Sequence, residues 1–305
     1  MSTKPRKKPT AAAESPLLSH TLQLLRRYDL RARKELGQNF LVDGEILERI
    51  IAAAELIPSD LVVEIGPGLG VLTEQLAQKA GWVLAIELDD NLAAILKERL
   101  SSYRNVTIIN ADVLKTDPAA LLEEQKTKLP PGINSASYKV VANLPYYITS
   151  PTLRHLLEAS AKPKMMVVMV QKEVAEQITA KAGRLSLMGI SIQLYGAPTL
   201  VTKVPAASFY PAPKVDSAVL RIEIYPQPAV DVGDSEGFFR VVRAGFSHAR
   251  KQLHNSLERG LLLPKEDVLI MLNKANIDIE RRAQTLTLEE WGRLWRIFAG
   301  NEVHD

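Results

Sequence analysis

The chain has 305 residues, 46% of them hydrophobic, and a formal net charge of +3, which allows one or two domains with a sizeable core. It contains no cysteine, which excludes disulfides, thiolate catalysis and zinc fingers and disfavours methyl transfer to pyrimidine C5 through a cysteine nucleophile. There is no unbroken apolar run of membrane-spanning length and no signal-peptide core, so a soluble, cytoplasmic protein without a membrane partner is expected.

In chain order, the first feature is a basic arm. Residues 1–35 hold nine Lys/Arg against Glu14, Asp29 and Glu35. That places +6 on the arm and about −3 on the body. A basic arm on a mildly acidic body points to nucleic-acid contact. Residues 1–15, rich in Pro, Lys and Ala, read equally as a disordered solubilising tail. Residues 17–28 pattern as a short amphipathic helix.

Leu61 to Ile65 reads as a buried strand, followed by Gly66-Pro67-Gly68-Leu69-Gly70 and a helical pattern from Val71 to Lys79. Glycines there permit a tight turn and close backbone approach to a ligand at a helix N-terminus. A dinucleotide fingerprint needs its third glycine at the position held by Val71. The departure argues against NAD and fits the looser loop of S-adenosylmethionine (SAM) enzymes. A second strand, Trp82 to Ile86, ends in Glu87, placed to accept ribose hydroxyls. A third, Val106 to Asn110, runs into Asp112, placed either for a cofactor adenine or as a plain turn cap.

The fourth strand, Tyr138 to Ala142, ends in Asn143-Leu144-Pro145-Tyr146. A polar–aliphatic–proline–aromatic cluster at a strand's carboxyl end suits methylation of an exocyclic base amine. Such a nitrogen is barely basic. The Asn143 side chain and a main-chain carbonyl beside Pro145 would hold both of its N–H groups and turn its lone pair toward a methyl donor. Tyr146 would stack on the base, and its ring rather than its hydroxyl is expected to matter.

Further strands are expected near 164–171, 191–196 and 218–224, the Met165 to Met169 run being core. The class is α/β, with one domain over residues 36–225, a linker over 226–234 and a small all-helical domain over 235–305. Arg240, Arg243, Arg250, Lys251 and Arg259 outnumber the single acid Glu258, which predicts an RNA-facing helix across 240–259. The five histidines, His20, His155, His248, His254 and His304, show no metal-ligand spacing, so no metal is expected.

Gly37-Gln38-Asn39-Phe40-Leu41, Glu64 to Gly70, Asn143 to Tyr146, Gln171 to Ala175 and Phe209 to Ala218 together resemble the ribosomal RNA adenine N6,N6-dimethyltransferases. The resemblance spans roughly residues 35 to 260, and Arg250 to Leu257 brings it nearest to the bacterial small-subunit (16S) enzymes. It implies a Rossmann-like SAM-dependent methyltransferase domain with a mostly parallel seven-stranded sheet, followed by the helical domain as an RNA-binding unit. It implies dimethylation of two adjacent adenosines in the 3′-terminal hairpin, with 16S rRNA or the immature small ribosomal subunit as partner; a monomer is expected. Asn39, Leu41, Gly66, Gly68, Glu87, Asp112 and Asn143 would form the SAM pocket. Asn143, Leu144, Pro145 and Tyr146 would hold the target base, and Phe209 would stack on its other face. Ala182 and Gln252 depart from residues common in the family. Two rivals stand beside this reading: a small-molecule or protein methyltransferase, disfavoured by the basic helical segment, and a non-enzymatic RNA-binding factor, disfavoured by the intact set Gly66, Glu87, Asp112 and Asn143.

Overall fold

The computed structural model describes residues 15–30, 32–33, 37–134, 137–248 and 250–302. Lys4, Arg6, Lys7, Lys8, Arg31, Lys34, Glu14, Glu35 and His304, with residues 1–14 of the expected disordered arm, lie outside the described residues. A helix, α1 (Pro16–Arg27), opens the described chain, followed by a two-residue strand β1 (Phe40–Leu41) and α2 (Gly44–Ala54). Then strands and helices alternate: β2 (Leu61–Ile65), α3 (Val71–Ala77), β3 (Trp82–Glu87), α4 (Asp90–Arg99), β4 (Val106–Asn110), α5 (Pro118–Lys126), β5 (Tyr138–Asn143), α6 (Thr149–Glu158) and β6 (Met165–Gln171). After β6 come α7 (Lys172–Ile178), α8 (Leu187–Gln193), β7 (Gly196–Val204), β8 (Phe209–Tyr210) and β9 (Ser217–Ile224). Four helices close the chain: α9 (Ser235–Phe246), α10 (Leu253–Leu261), α11 (Lys265–Lys274) and α12 (Leu288–Glu302).

The main sheet has seven strands in the order β4-β3-β2-β5-β6-β9-β7. Pairings from β4 through β6 are parallel, and β9 runs antiparallel to both β6 and β7. The order reverses at β2, between β3 and β5, where an open α/β sheet leaves a crevice at its carboxyl edge. Side chains alternate across each strand. Val62, Val83 and Val141 face one cluster with α2 and α3, while Leu61, Val63, Leu84 and Val140 face another with α5, α6 and α8. By the same alternation Glu64, Glu87 and Asn143 continue the face that carries α2 and α3.

Two expectations are corrected. The strand near 191–196 is instead the helix α8, followed by the longer strand β7. Ile190-Ser191-Ile192-Gln193-Leu194 alternates as a strand would, and local chemistry overrides the pattern: the Ser186 hydroxyl accepts the Gly189 N–H at 3.0 Å and caps the helix. Gly189 also sits so near Gln177 that a Cβ would stand 2.7 Å from that carbonyl oxygen. The single basic helix across 240–259 is two helices, α9 and α10. The Ser247 hydroxyl bonds back to the Ala244 carbonyl and contacts the His248 ring, local bonds that compete with continuing the helix.

The four C-terminal helices share one hydrophobic cluster with the sheet, joining Phe238, Leu257, Met271 and Trp291 to Leu61 and Val140. Val230 and Val232, in the segment before α9, are buried in it. Gly183 and Leu185 donate to the Gln284 carbonyl. No helix among the described residues is long and apolar enough to cross a membrane.

Candidate active site

The carboxyl ends of β2, β3 and β5, the segment after β4 and the segment before β1 enclose a cavity of about 260 Å³. Its wall includes every expected pocket residue: Asn39, Leu41, Gly66, Gly68, Glu87, Asp112, Asn143, Leu144, Pro145 and Tyr146. Gly66 adopts φ +67°, and a Cβ there would lie 3.5 Å from the Pro145 ring. Glycine lets the first turn and the Asn143–Tyr146 turn close on each other.

Glu87 is 7% exposed. Its carboxylate accepts the Asp89 N–H at 3.0 Å and the Gly68 N–H at 3.1 Å, so it braces the glycine turn as well as facing the cavity. Burial pushes its pKa above the usual carboxylate range, against those N–H bonds and with the charge of Asp89. Asp112 caps the single 3₁₀ turn 113–115 through the Leu114 N–H at 3.0 Å, which is the plain role weighed for it, while still lining the cavity. Asn143 donates its Nδ2 to the Asn39 carbonyl at 3.3 Å. That bond orients the amide and leaves Oδ1 as an acceptor. The Pro145 carbonyl takes the Ile148 N–H and the Thr149 hydroxyl.

Phe209 is the expected site residue that the structure does not bring to the cavity. It is 4% exposed and packs in the core with Leu41, Met169 and Val204. The physical reason is its pairing: β1 and β8 form an antiparallel ladder, Leu41 opposite Phe209 and Phe40 opposite Tyr210. Alternation then turns Phe209 inward with Leu41, and Tyr210, 41% exposed, outward.

Three residues escaped the roles drawn from the sequence. Glu64, 1% exposed, lines the cavity with Oε2 lacking any hydrogen-bond partner among the described residues. Burial pushes its carboxyl up to about 8, with the charge of Glu87 adding; the buried Thr73 hydroxyl likewise has no hydrogen-bond partner among the described residues. A lone acid inside an apolar strand was the signal for it. Tyr147, 54% exposed, stands at the cavity mouth against Gly37. Burial first, then the charges of Asp112 and Glu87, raise its phenol. Ser217, fully buried, meets the Tyr146 hydroxyl at 2.6 Å; no local pattern announces a contact between residues 71 apart in the chain.

The lining suits a cationic ligand with an apolar part. A buried carboxyl without a partner, a second carboxylate, backbone freed by glycine and an apolar floor meet in one cavity. Among the described residues no group of three His, Cys, Asp or Glu side chains has metal-binding geometry.

Comparison with known proteins shows the family. The family model described as "Ribosomal RNA adenine dimethylase" matches residues 29–299. A protein of Dehalococcoides mccartyi named ribosomal RNA small subunit methyltransferase A is 48% identical over 294 residues, spanning 96% of this chain and 98% of that one. A protein of the same name from Alkaliphilus metalliredigens is 43% identical over 287 residues, 93% of this chain and 98% of the other. Among solved structures, a dimethyladenosine transferase from Plasmodium falciparum aligns with TM-score 0.71 at 27% identity, covering 86% of this chain and 98% of that chain. The 23S rRNA methyltransferase ErmE aligns with TM-score 0.65 at 31% identity, covering 86% and 100%.

Proposed function

The chain belongs to the ribosomal RNA adenine dimethylase family, and we propose that it dimethylates N6 of two adjacent adenosines in the 3′-terminal hairpin of small-subunit (16S) rRNA, with SAM as donor. The observation that carries this reading is Asn143. Its amide stands in the wall shared by the glycine turn and Tyr146, with Nδ2 spent on Asn39 and Oδ1 free to accept.

SAM, when bound, supplies an electrophilic methyl group on a sulfonium. Glu64 is placed for the cofactor's ammonium, which would pair its orphaned Oε2. Glu87 and Asp112 are placed for the ribose and the adenine, with Asn39, Leu41, Gly66 and Gly68 shaping the pocket. Asn143 Oδ1 accepts one N–H of the target amine. The Leu144 carbonyl accepts the other, since the Pro145 carbonyl is already engaged. Tyr146 offers a ring face to the base at roughly 1–3 kcal/mol of stacking, which offsets much of the few kcal/mol needed to unstack the adenine. Phe209 takes the opposite face of the base only if β8 shifts to uncover it. Fixed orientation of the two reactants supplies ~7–11 kcal/mol, and no general base is needed because the amine sheds its proton after it becomes cationic.

The exposed side chains of Arg243, Arg250, Lys251 and Arg259 form a surface for rRNA phosphates; such contacts make binding fall steeply with salt. Residues 235–305 then act as the RNA-binding part beside a SAM-binding part over 36–225.

The test combines calorimetry of SAM binding with single-turnover methylation of immature small subunits. Asn143→Ala should slow transfer by roughly 100-fold or more, the scale of losing one preorganised acceptor, while subunit docking is retained because it rests on distant phosphate contacts. A near wild-type rate would remove Asn143 from the chemistry. Absence of transfer by the unaltered protein would remove the function itself.

A further inference from the structure

Tyr146 is held by a different part of the sheet from the turn that presents it. It begins a single 3₁₀ turn, 146–148, in which Tyr147 is exposed and no residue is buried. Such a turn gives a ring little support. The support comes from Ser217, the first residue of β9, whose hydroxyl lies 2.6 Å from the Tyr146 hydroxyl. Ser217 is fully buried. Its backbone stands opposite Gln171 of β6 on one side and Val204 of β7 on the other. Its Oγ is therefore fixed by strands on both sides, in the antiparallel half of the sheet.

Resting on the reading of Tyr146 as the platform for the target base, we propose that Ser217 is a positioning residue that fixes the direction in which the Tyr146 ring points. The hydroxyl pair anchors the ring at its far end, while the backbone turn anchors it at Cβ. With both ends of its long axis held, the ring cannot swing out of the site when an adenine arrives. The same ring position then serves the second round, when the amine carries a methyl group and has less room to turn. This revises the expectation that the ring alone matters: Tyr146→Phe keeps the stacking face but removes the anchor.

The experiment is a double-mutant cycle of Tyr146→Phe and Ser217→Ala. It measures single-turnover methylation of immature small subunits, SAM affinity by calorimetry and the thermal midpoint of each variant. Each single change should slow transfer about tenfold, and the double change should slow it no further, because both remove one bond. SAM affinity should stay within about twofold, since the pair contributes nothing to the acids and the glycine turn. In the isolated protein, side-chain couplings of isotope-labelled Tyr146 should report one χ1 rotamer in the unaltered chain and averaging between rotamers in Ser217→Ala. A wild-type rate for Tyr146→Phe would overturn the proposal, as would losses that multiply to about a hundredfold in the double variant. If Ser217→Ala merely destabilises the fold, Tyr146→Phe still decides the matter at the half-buried end of the bond. An unchanged χ1 rotamer in Ser217→Ala would also sink the proposal, and that readout does not depend on the protein acting on rRNA. Failure of the unaltered protein to methylate subunits would instead count against the functional reading.

Discussion

The two ends of the parallel sheet treat buried acids in opposite ways. At the amino ends, Asp60 is 3% exposed and meets Lys139 at 2.9 Å and Lys164 at 2.7 Å. Burial alone would raise its carboxyl, but the bonds from Lys164, Lys139 and the Ile57 N–H win and hold it below the usual range. Lys139 also donates to the Ala54 and Glu55 carbonyls, at 2.8 and 2.6 Å, and so closes the end of α2. At the carboxyl ends, Glu64 and Glu87 are also buried, make no salt bridge among the described residues although Arg33 meets the neighbouring Asp89 at 3.0 Å, and titrate above their usual range. The same residue type is thus spent on structure at one end and left in deficit at the other. A deficit of positive charge beside a cavity is what a cationic cofactor would fill, which supports the placement of SAM there.

The largest effect should come from breaking the closed end. Lys139→Met removes the cation but keeps most of the volume. It should cost about 3–5 kcal/mol of stability, because the Ala54 and Glu55 carbonyls lose their donor and Asp60 keeps only Lys164 of its two cations. Urea unfolding checks it, and SAM affinity of the folded fraction should not change. Unaltered stability would mean that the two ends differ less than their geometry implies.

A smaller effect is expected from the open end. Glu87→Ala removes the acceptor for the Gly68 and Asp89 N–H groups together with the expected ribose partner. SAM binding should weaken by roughly 1.5–3 kcal/mol, the scale of hydrogen bonds to a charged group. Titration calorimetry would read this as about a tenfold to hundredfold loss. An unchanged affinity with the fold intact would exclude Glu87 from the site.

The smallest effect sharpens the contrast through pH. The Glu64 carboxyl is pushed from 4.5 to about 8 in the folded chain. The unfolded chain gives up that proton near 4.5 and the folded chain holds it, so Glu64 erodes stability as pH climbs from about 4.5 to about 8. Glu64→Gln, neutral throughout, should escape the loss. Its stability relative to the unaltered chain should therefore rise from pH 4 to pH 7, with the fixed cost of burying the amide subtracted equally at both. Melting curves across that window test the sign. A parallel pH dependence in the two proteins would show that Glu64 is ionised in the fold.

How much was legible in the chain follows the range of the interactions. The strands from Leu61 to Gln171 announced themselves because both faces of a parallel sheet are buried and the apolar runs are continuous. The polar residues that end them, Glu87, Asp112 and Asn143, were visible for the same reason, as breaks in those runs. The stretch from Leu187 to Tyr195 was misread because Ile190 to Leu194 alternates as a strand would, and only the Ser186 cap and the Gly189 contact override that pattern. Phe209 was expected at the cavity and lies in the core, because its direction depends on pairing with Leu41, far away in the chain. Ser217 and Tyr146 meet for reasons that no window of sequence contains.

The short ladder of β1 with β8 has a consequence for the order in which the protein assembles. Phe40 and Leu41 stand next to the Asn39 that orients Asn143, yet their partners are Tyr210 and Phe209. The Ser208 hydroxyl adds a bond to the Asp43 carboxylate at 2.8 Å, across 165 positions. A growing chain can pair β2, β3, β4 and β5 as soon as they leave the ribosome, but the segment carrying Asn39 has no strand beside it until residue 210 has emerged. Closing so long a loop is slow relative to forming the local helices. The pocket is therefore later than the parallel strands: a nascent chain can pair β2 to β6 first and acquires its capacity to hold a cofactor only once β8 has emerged.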